Sequence, residues 1–143
     1  MQRKNKIEWI PLSEAHSIQF EGSQEYFLAF PDIEASKYRN HPFCFDIDFK
    51  AQSNRFPFRC DLVCDVWNQQ HNSVESCYTS LQPLHSDISS PAYFHQRIYL
   101  ENIPESAETI KIFFYNQLKT PIKFTDLNVT ILKGIEKSNP QNL

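Results

Sequence analysis

Glycine is almost absent from this chain, which has only Gly22 and Gly134 among its 143 residues. Loops that cradle a phosphate use several glycines, because a Cβ atom keeps the backbone away from the phosphate oxygens. The scarcity of glycine therefore excludes the P-loop and the dinucleotide-binding fingerprint.

Excess positive charge and long apolar runs are missing as well. The net charge is −3 and the isoelectric point is about 5.9, so the chain lacks the basic footprint of a nucleic-acid-binding domain. No segment approaches the roughly 20 apolar residues of a membrane-spanning helix, and the polar start Met1–Lys6 is not followed by the apolar segment of a signal peptide. We expect no nucleic-acid partner and no membrane insertion by this chain. Its compartment stays open between the cytoplasm and an excised extracellular domain.

The motifs of common catalytic sites are also absent. The histidines are scattered along the chain, and neither H-E-x-x-H nor G-x-S-x-G occurs. These absences predict a protein without catalysis, cofactor or metal. A small enzyme that uses a Cys–His pair brought together in space is the alternative that the sequence leaves open.

The C-x-x-C spacing of a zinc site is absent, and C-x3-C on one strand does not make a zinc knuckle. Cys60 and Cys64 on one strand would stand roughly 13 Å apart, whereas a disulfide needs Cα atoms within about 7 Å. The four cysteines, which also include Cys44 and Cys77, are predicted to be buried free thiols that pack as small hydrophobes. A cross-strand disulfide such as Cys44–Cys60 is the alternative.

Alternation of apolar and polar residues is what the chain has in abundance. In Phe43–Lys50 the odd-numbered residues are apolar and the even-numbered ones are mostly polar, and Cys60–Trp67 alternates in the same way, with Asp61 outward. This period of two is typical of antiparallel strands with one buried face. Further strands are predicted at Lys6–Ile10, Ser17–Phe20, Gln24–Phe30, Ser73–Ser80, Phe94–Leu100, Thr109–Tyr115 and Ile122–Leu132, and one short helical turn within Pro31–Arg39.

The spacing of these strands predicts an all-β fold, an antiparallel β-sandwich of the jelly-roll kind with about eight or nine strands. Residues 1–135 are predicted to form the single domain and residues 136–143 a polar tail. The expected core between the two sheets consists of Phe43, Phe45, Ile47, Phe49, Leu62, Val66, Ile110, Ile112, Phe114, Val129 and Ile131.

The last long strand contains a change of phase. Ile122 and Phe124 share one parity, whereas Leu127, Val129 and Ile131 share the other. A β-bulge near Thr125–Asp126 would absorb the extra residue and keep both halves on the core. Two separate strands are the alternative.

The final third of the chain resembles the closing hairpin of carbohydrate-binding-module-like and galactose-binding-like β-sandwiches. Those domains have a strand that ends in an aromatic–Asn pair, here Tyr115-Asn116, followed by a short turn and a strand similar to Ile122–Val129. Over Gln24–Trp67 only strand order and spacing agree, and Thr125 stands where the family often has the first of two acidic residues. The resemblance implies a noncatalytic accessory module of a bacterial enzyme, surface protein or membrane protein, which binds a glycan or only holds other domains in place.

Asp126 has two interpretations. In several related sandwiches an acidic residue at this place helps to hold a structural calcium ion, for which Glu21 and Glu25 are the other candidates here. Three carboxylates make a thin shell for an ion that takes six or more oxygen ligands, so a bulge residue that satisfies backbone donors is the preferred interpretation.

A glycan site is predicted from outward-facing residues. Asp65 and Trp67 take the outward parity of one strand, and Arg97 and Tyr99 take that of another. If the two strands belong to one sheet, an aromatic platform lies beside a carboxylate and a guanidinium, which suits a sugar ring. The alternative is that these aromatics contact a neighbouring protein domain, as expected of a structural or protein-interaction domain without a small-molecule ligand.

Overall fold

The computed structural model describes residues 6–23, 25–27, 30–53, 60–81 and 90–137. In these ranges the regular structure is nearly all β-strand, which confirms the all-β class. The strands are β1 (Lys6–Gly22), β2 (Tyr26–Phe27), β3 (Ile33–Glu34), β4 (Phe43–Gln52), β5 (Cys60–Asn68), β6 (Ser73–Leu81), β7 (Ala92–Leu100), β8 (Ala107–Asn116) and β9 (Ile122–Lys137), and a 3-10 turn covers Ala35–Lys37. No helix in these ranges is long and apolar enough to cross a membrane.

The strands form two antiparallel sheets that pack face to face. One sheet has four strands in the order β1-β9-β4-β7, and the other has the order β2-β8-β5-β6 with β3 also paired to β8. The chain passes to the other sheet at nearly every connection, and β5 and β6 form the one hairpin within a sheet among the strands described. This is the order of a jelly roll.

The core lies between the sheets and contains all eleven predicted residues. At its centre Phe114 of β8 contacts two phenylalanines of the opposite sheet. Its ring centroid lies 5.8 Å from that of Phe49 and 4.7 Å from that of Phe124. Aromatic packing at these distances adds to the free energy of burial, so this trio joins the two sheets.

Two residues on the outer sides of their strands are buried. Asp61, predicted to face outward, is only 7% exposed, and Cys44, a free thiol predicted to be buried, is 3% exposed. Asp61 accepts a 2.8 Å hydrogen bond from the Ser80 hydroxyl of the neighbouring strand. Period-two alternation identifies the inner face of a sheet, but neighbouring side chains decide how far the outer face is covered.

The first strand is longer than predicted. The segments Lys6–Ile10 and Ser17–Phe20 belong to one strand that pairs with β9 along its length through three register shifts. Within the predicted strand Gln24–Phe30 the structure assigns β2, and Gln24 and residues 28–29 lie outside the described residues. The last strand is also longer than the predicted Ile122–Leu132, because β9 continues to Lys137.

The predicted bulge is present in β9. The register with β4 passes from Asp48↔Asn128 to Lys50↔Thr125, so β9 has one residue more than its partner at this point. Asp126 has a φ of 55° there, and both Phe124 and Leu127 are buried. The bulge thus keeps the two halves of β9 on the core.

Asn116 holds the turn between β8 and β9. Its side-chain amide donates to the Thr120 carbonyl at 2.8 Å, and its side-chain oxygen accepts from the Thr120 N–H at 3.3 Å. Asn116 is fully buried. The aromatic–Asn pair that carries the family resemblance therefore has a structural role in this chain.

Candidate functional site

The four residues predicted to bind a glycan do not share a face. Asp65 and Trp67 lie on β5, whereas Arg97 and Tyr99 lie on β7, and these strands belong to different sheets. The single aromatic platform is therefore wrong. The physical reason is that β6 pairs with β5 in one sheet, whereas β7, the next strand along the chain, pairs with β4 in the other.

Trp67 is fixed by its neighbours on the five-stranded sheet. Its indole N–H donates to an Asp65 carboxylate oxygen at 2.7 Å, and the other oxygen of Asp65 contacts the Ser73 hydroxyl. The Lys111 ammonium lies 5.5 Å from the Trp67 ring centroid and pairs with Asp32 at 3.1 Å. Asp65 therefore positions Trp67, and the Lys111 ammonium occupies the place over the Trp67 ring where a ligand would stack.

Arg97 belongs to a line of charged side chains on the outer face of the four-stranded sheet. The register sets Asp46 opposite Arg97 and Asp48 opposite His95. We call Asp46, Asp48, His95 and Arg97 the charged row.

Asp46 is the centre of the charged row. One of its carboxylate oxygens lies 3.0 Å from Nη2 of Arg97, and the other contacts Nε2 of His95, whose Nδ1 lies 3.1 Å from Asp48. The Asp46 side chain is only 19% exposed, whereas those of His95 and Arg97 are more than half exposed. The hydrogen bond to Asp46 raises the pKa of Arg97. The sheet thus presents a guanidinium and an imidazole held by one carboxylate.

Tyr99 continues this face beyond Arg97. It is 50% exposed, and the Trp9 ring of β1 meets it edge-on with ring centroids 5.7 Å apart. Beside it, burial raises the pKa of the Cys44 thiol, an effect that the nearby charge of Arg97 opposes in part. Sequence reasoning missed Trp9, because nothing in the sequence shows that β1 joins the sheet that contains β7.

A cleft adjoins Tyr99 at the edge of the sandwich. It has a volume of about 1120 Å³, and the residues that line it include Asn40, His41, Glu75, Cys77, Tyr99 and Glu101. Tyr99 therefore borders both the charged row and the cleft.

A third surface lies on the outer face of the five-stranded sheet. The Tyr26 ring stacks on Tyr115 with centroids 5.0 Å apart and meets Phe113 edge-on at 5.9 Å. Tyr26 and Tyr78 are 61% and 69% exposed. We call Tyr26, Tyr78, Phe113 and Tyr115 the aromatic surface.

Asp126 is held by a cation in this structure. Its carboxylate lies 3.4 Å from the ammonium of Lys50, rather than on backbone donors as predicted. Among the residues that the structure describes, no three His, Cys, Asp or Glu side chains stand together as a metal site. The side chain of Glu21 lies outside the described residues.

Comparison with known proteins supports the fold and nothing finer. No family model and no curated protein matches the chain. A solved structure of infectious bursal disease virus, Gx strain, is similar over 96% of this chain and 33% of its own, with a TM-score of 0.50 and 7% identity. The enzymatically active domain of tailspike protein 4 from bacteriophage CBA120 is 15% identical over 86% of this chain and 19% of its own, with a TM-score of 0.45.

The chain thus spans a third or less of these two neighbours. At 7% identity the likeness to the viral chain shows the fold alone. The protein is an all-β sandwich, and this likeness does not distinguish a carbohydrate-binding module from other sandwiches.

Proposed function

We propose that this chain is a noncatalytic β-sandwich module that binds a glycan on the outer face of its four-stranded sheet. The observation that carries the proposal is the half-exposed ring of Tyr99 directly beside Arg97. A sugar ring offers C–H groups that pack on an aromatic face and hydroxyls that form charge-assisted hydrogen bonds. Tyr99 and Arg97 supply one partner for each.

The neighbours of these two residues hold their side chains in place, which favours a binding role for them. Asp46 orders the Arg97 guanidinium, and Trp9 supports the Tyr99 ring from its edge. Side chains that are ordered before a ligand arrives lose less entropy on binding. His95 extends the charged row along the same strand, so that a ligand longer than one sugar unit would meet further hydrogen-bonding groups.

A glycan panel tests the proposal. Tyr99→Ala should weaken binding about tenfold or more, as expected of an aromatic contact at the centre of a site. Arg97→Lys should also weaken it, because lysine keeps the charge but lacks the planar fork. Trp67→Ala is the matched control, since it removes an aromatic side chain from the other sheet and should leave the affinity unchanged.

Thermal unfolding of each variant separates loss of binding from loss of fold. The proposal fails if the unmodified chain binds no glycan, or if folded Tyr99→Ala and Arg97→Lys bind as tightly as the unmodified chain. Loss of binding only in Trp67→Ala would move the site to the five-stranded sheet.

The aromatic surface favours a second candidate, a structural or protein-interaction domain of a larger bacterial protein. Exposed aromatics that lie side by side are enriched at protein contacts, and Tyr26, Phe113 and Tyr115 form such a group. This candidate predicts that Tyr26 and Tyr78 react with hydroxyl radicals in the isolated chain and are protected in an assembly. Equal labelling in both would count against it.

A further inference from the structure

Cys64 and Cys77 face each other across the β5–β6 hairpin. The register pairs them directly, so that both side chains lie on the same side of the sheet. Directly opposite residues of antiparallel strands have Cα atoms about 4.5–5.5 Å apart, which is within the span of a disulfide. Both residues are free thiols in this structure.

The two thiols differ in their access to solvent. Cys64 is fully buried in the core, whereas Cys77 is partly exposed on the edge strand and lines the cleft. A small molecule that enters the cleft can reach Cys77 but not Cys64. The pair thus combines an accessible thiol with a buried thiol next to it.

The electrostatics support the same division. The hydrogen bond with Cys64 lowers the pKa of Cys77 below its usual value of 9.0, although burial and Glu75 oppose this effect. The pKa of Cys64 is raised well above 9.0, first by that hydrogen bond and then by burial. Because the thiolate is the nucleophile, Cys77 is the thiol that reacts first.

We propose that Cys77 is a thiol-exchange site for low-molecular-weight disulfides and that Cys64 is its resolving partner. The Cys77 thiolate attacks one sulfur of the small disulfide, which forms a mixed disulfide and releases one small thiolate. Cys64 then gives up its proton and attacks the Cys77 sulfur. This step forms the Cys64–Cys77 bond and releases the second small thiol, which carries the proton. Two protein thiols are oxidised and one small disulfide is reduced to two thiols.

Oxidised glutathione and mass spectrometry test this proposal. The native chain is incubated with oxidised glutathione, quenched with acid and cleaved on the amino side of aspartate. Cleavage before Asp61, Asp65 and Asp87 places the two cysteines in peptides 61–64 and 65–86. We expect these two peptides to be recovered as one linked species, and to separate on reduction.

Three variants assign the steps. Cys64→Ser should accumulate a stable glutathione adduct on Cys77, because no partner resolves it. Cys77→Ser should incorporate about tenfold less glutathione than Cys64→Ser, because the thiols that remain in it are buried. Cys60→Ser is the matched control, since Cys60 is a buried thiol of the same strand whose register partner is Leu81, and it should still form the linked peptides.

Thermal unfolding establishes that each variant is folded. Failure to recover the linked peptides from the unmodified chain would overturn the proposal. So would glutathione incorporation in folded Cys77→Ser equal to that in folded Cys64→Ser, or the absence of an adduct in folded Cys64→Ser. None of these measurements involves a glycan.

Discussion

Cys60 is a thiol without exposed surface, and its ionisation is linked to folding. Burial and, to a smaller extent, the negative charge of Asp61 raise its pKa above the usual 9.0. Above pH 9 the unfolded chain therefore loses this proton while the native chain retains it. Stability from this group is complete below pH 9 and is lost as the pH rises towards the native pKa.

We expect the free energy of unfolding of Cys60→Ala to fall less steeply with rising pH than that of the unmodified chain. The free energy of unfolding of the unmodified chain should fall more steeply between pH 9 and 11, by about 1.4 kcal/mol per pH unit for one proton. Urea unfolding at several pH values measures both slopes under reducing conditions. Parallel curves for the two chains would contradict the prediction.

Individual residues also show what a pattern cannot predict. Trp67 was correctly assigned to an outer face, but the ammonium of Lys111 over its ring comes from another strand, β8. Trp9 contacts Tyr99 although the two are far apart in the sequence. Parity predicts the face on which a residue lies, whereas its neighbours follow from the topology.

At the scale of the element, the bulge in β9 requires an uncommon backbone conformation at one residue. Asp126 has a positive φ of 55°, which costs a β-branched residue about 1–2 kcal/mol and costs glycine nothing. Asp126→Val should therefore lower the free energy of unfolding by about 1–2 kcal/mol, while Asp126→Gly should leave it within about 1 kcal/mol of the original.

Urea unfolding measures these effects. Lys123→Val is the control, because Lys123 is exposed on the same strand and valine suits an extended backbone. An equal loss of stability in Asp126→Val and Lys123→Val would show that the bulge does not require this conformation.

The turn after β8 depends on one side chain. Asn116→Ala removes both hydrogen bonds to the Thr120 backbone and should lower stability by about 1–3 kcal/mol, because buried polar groups lose their partner. Gln117→Ala, exposed in the same turn, should change stability by less than about 0.5 kcal/mol. Chemical unfolding of the two variants makes the comparison, and similar values for both would contradict this role.

Element by element, alternation predicted the strands with an inner and an outer face and even the bulge, because a change of parity is visible in Ile122–Ile131. It did not predict that β1 is continuous, since its three register shifts interrupt the pattern. It also predicted a full strand at Gln24–Phe30, of which β2 is the strand among the residues that the structure describes.

At the scale of the whole molecule, one core joins the two sheets. Phe114→Ala removes a ring that is buried completely and contacts Phe49 and Phe124. We expect a loss of about 3–5 kcal/mol from burial and cavity formation, against less than about 0.5 kcal/mol for the exposed Lys123→Ala. Urea unfolding followed by circular dichroism gives both values, and a loss below 1 kcal/mol for Phe114→Ala would show that the sheets do not depend on this contact.

The fold class was predictable because it follows from local patterns that agree along the chain. The site was not, because it depends on which strands share a sheet. Half of the predicted site, Arg97 and Tyr99, stays together because both residues lie on β7. Asp65 and Trp67 are separated from them by a crossing between sheets that no local pattern marks.

The pairing of β1 with β9 has a mechanical consequence. These two strands run antiparallel, and Lys6 at the start of one is paired with Lys137 at the end of the other. Tension applied at these two residues acts along the inter-strand hydrogen bonds, which lie perpendicular to antiparallel strands. The load therefore falls on one residue pair of β1 and β9 at a time, and the hydrogen bonds break in sequence from Lys6 towards Gly22. Pulling in this geometry should peel β1 away at low force, whereas a load that slides two strands lengthwise past each other would have to break many bonds together.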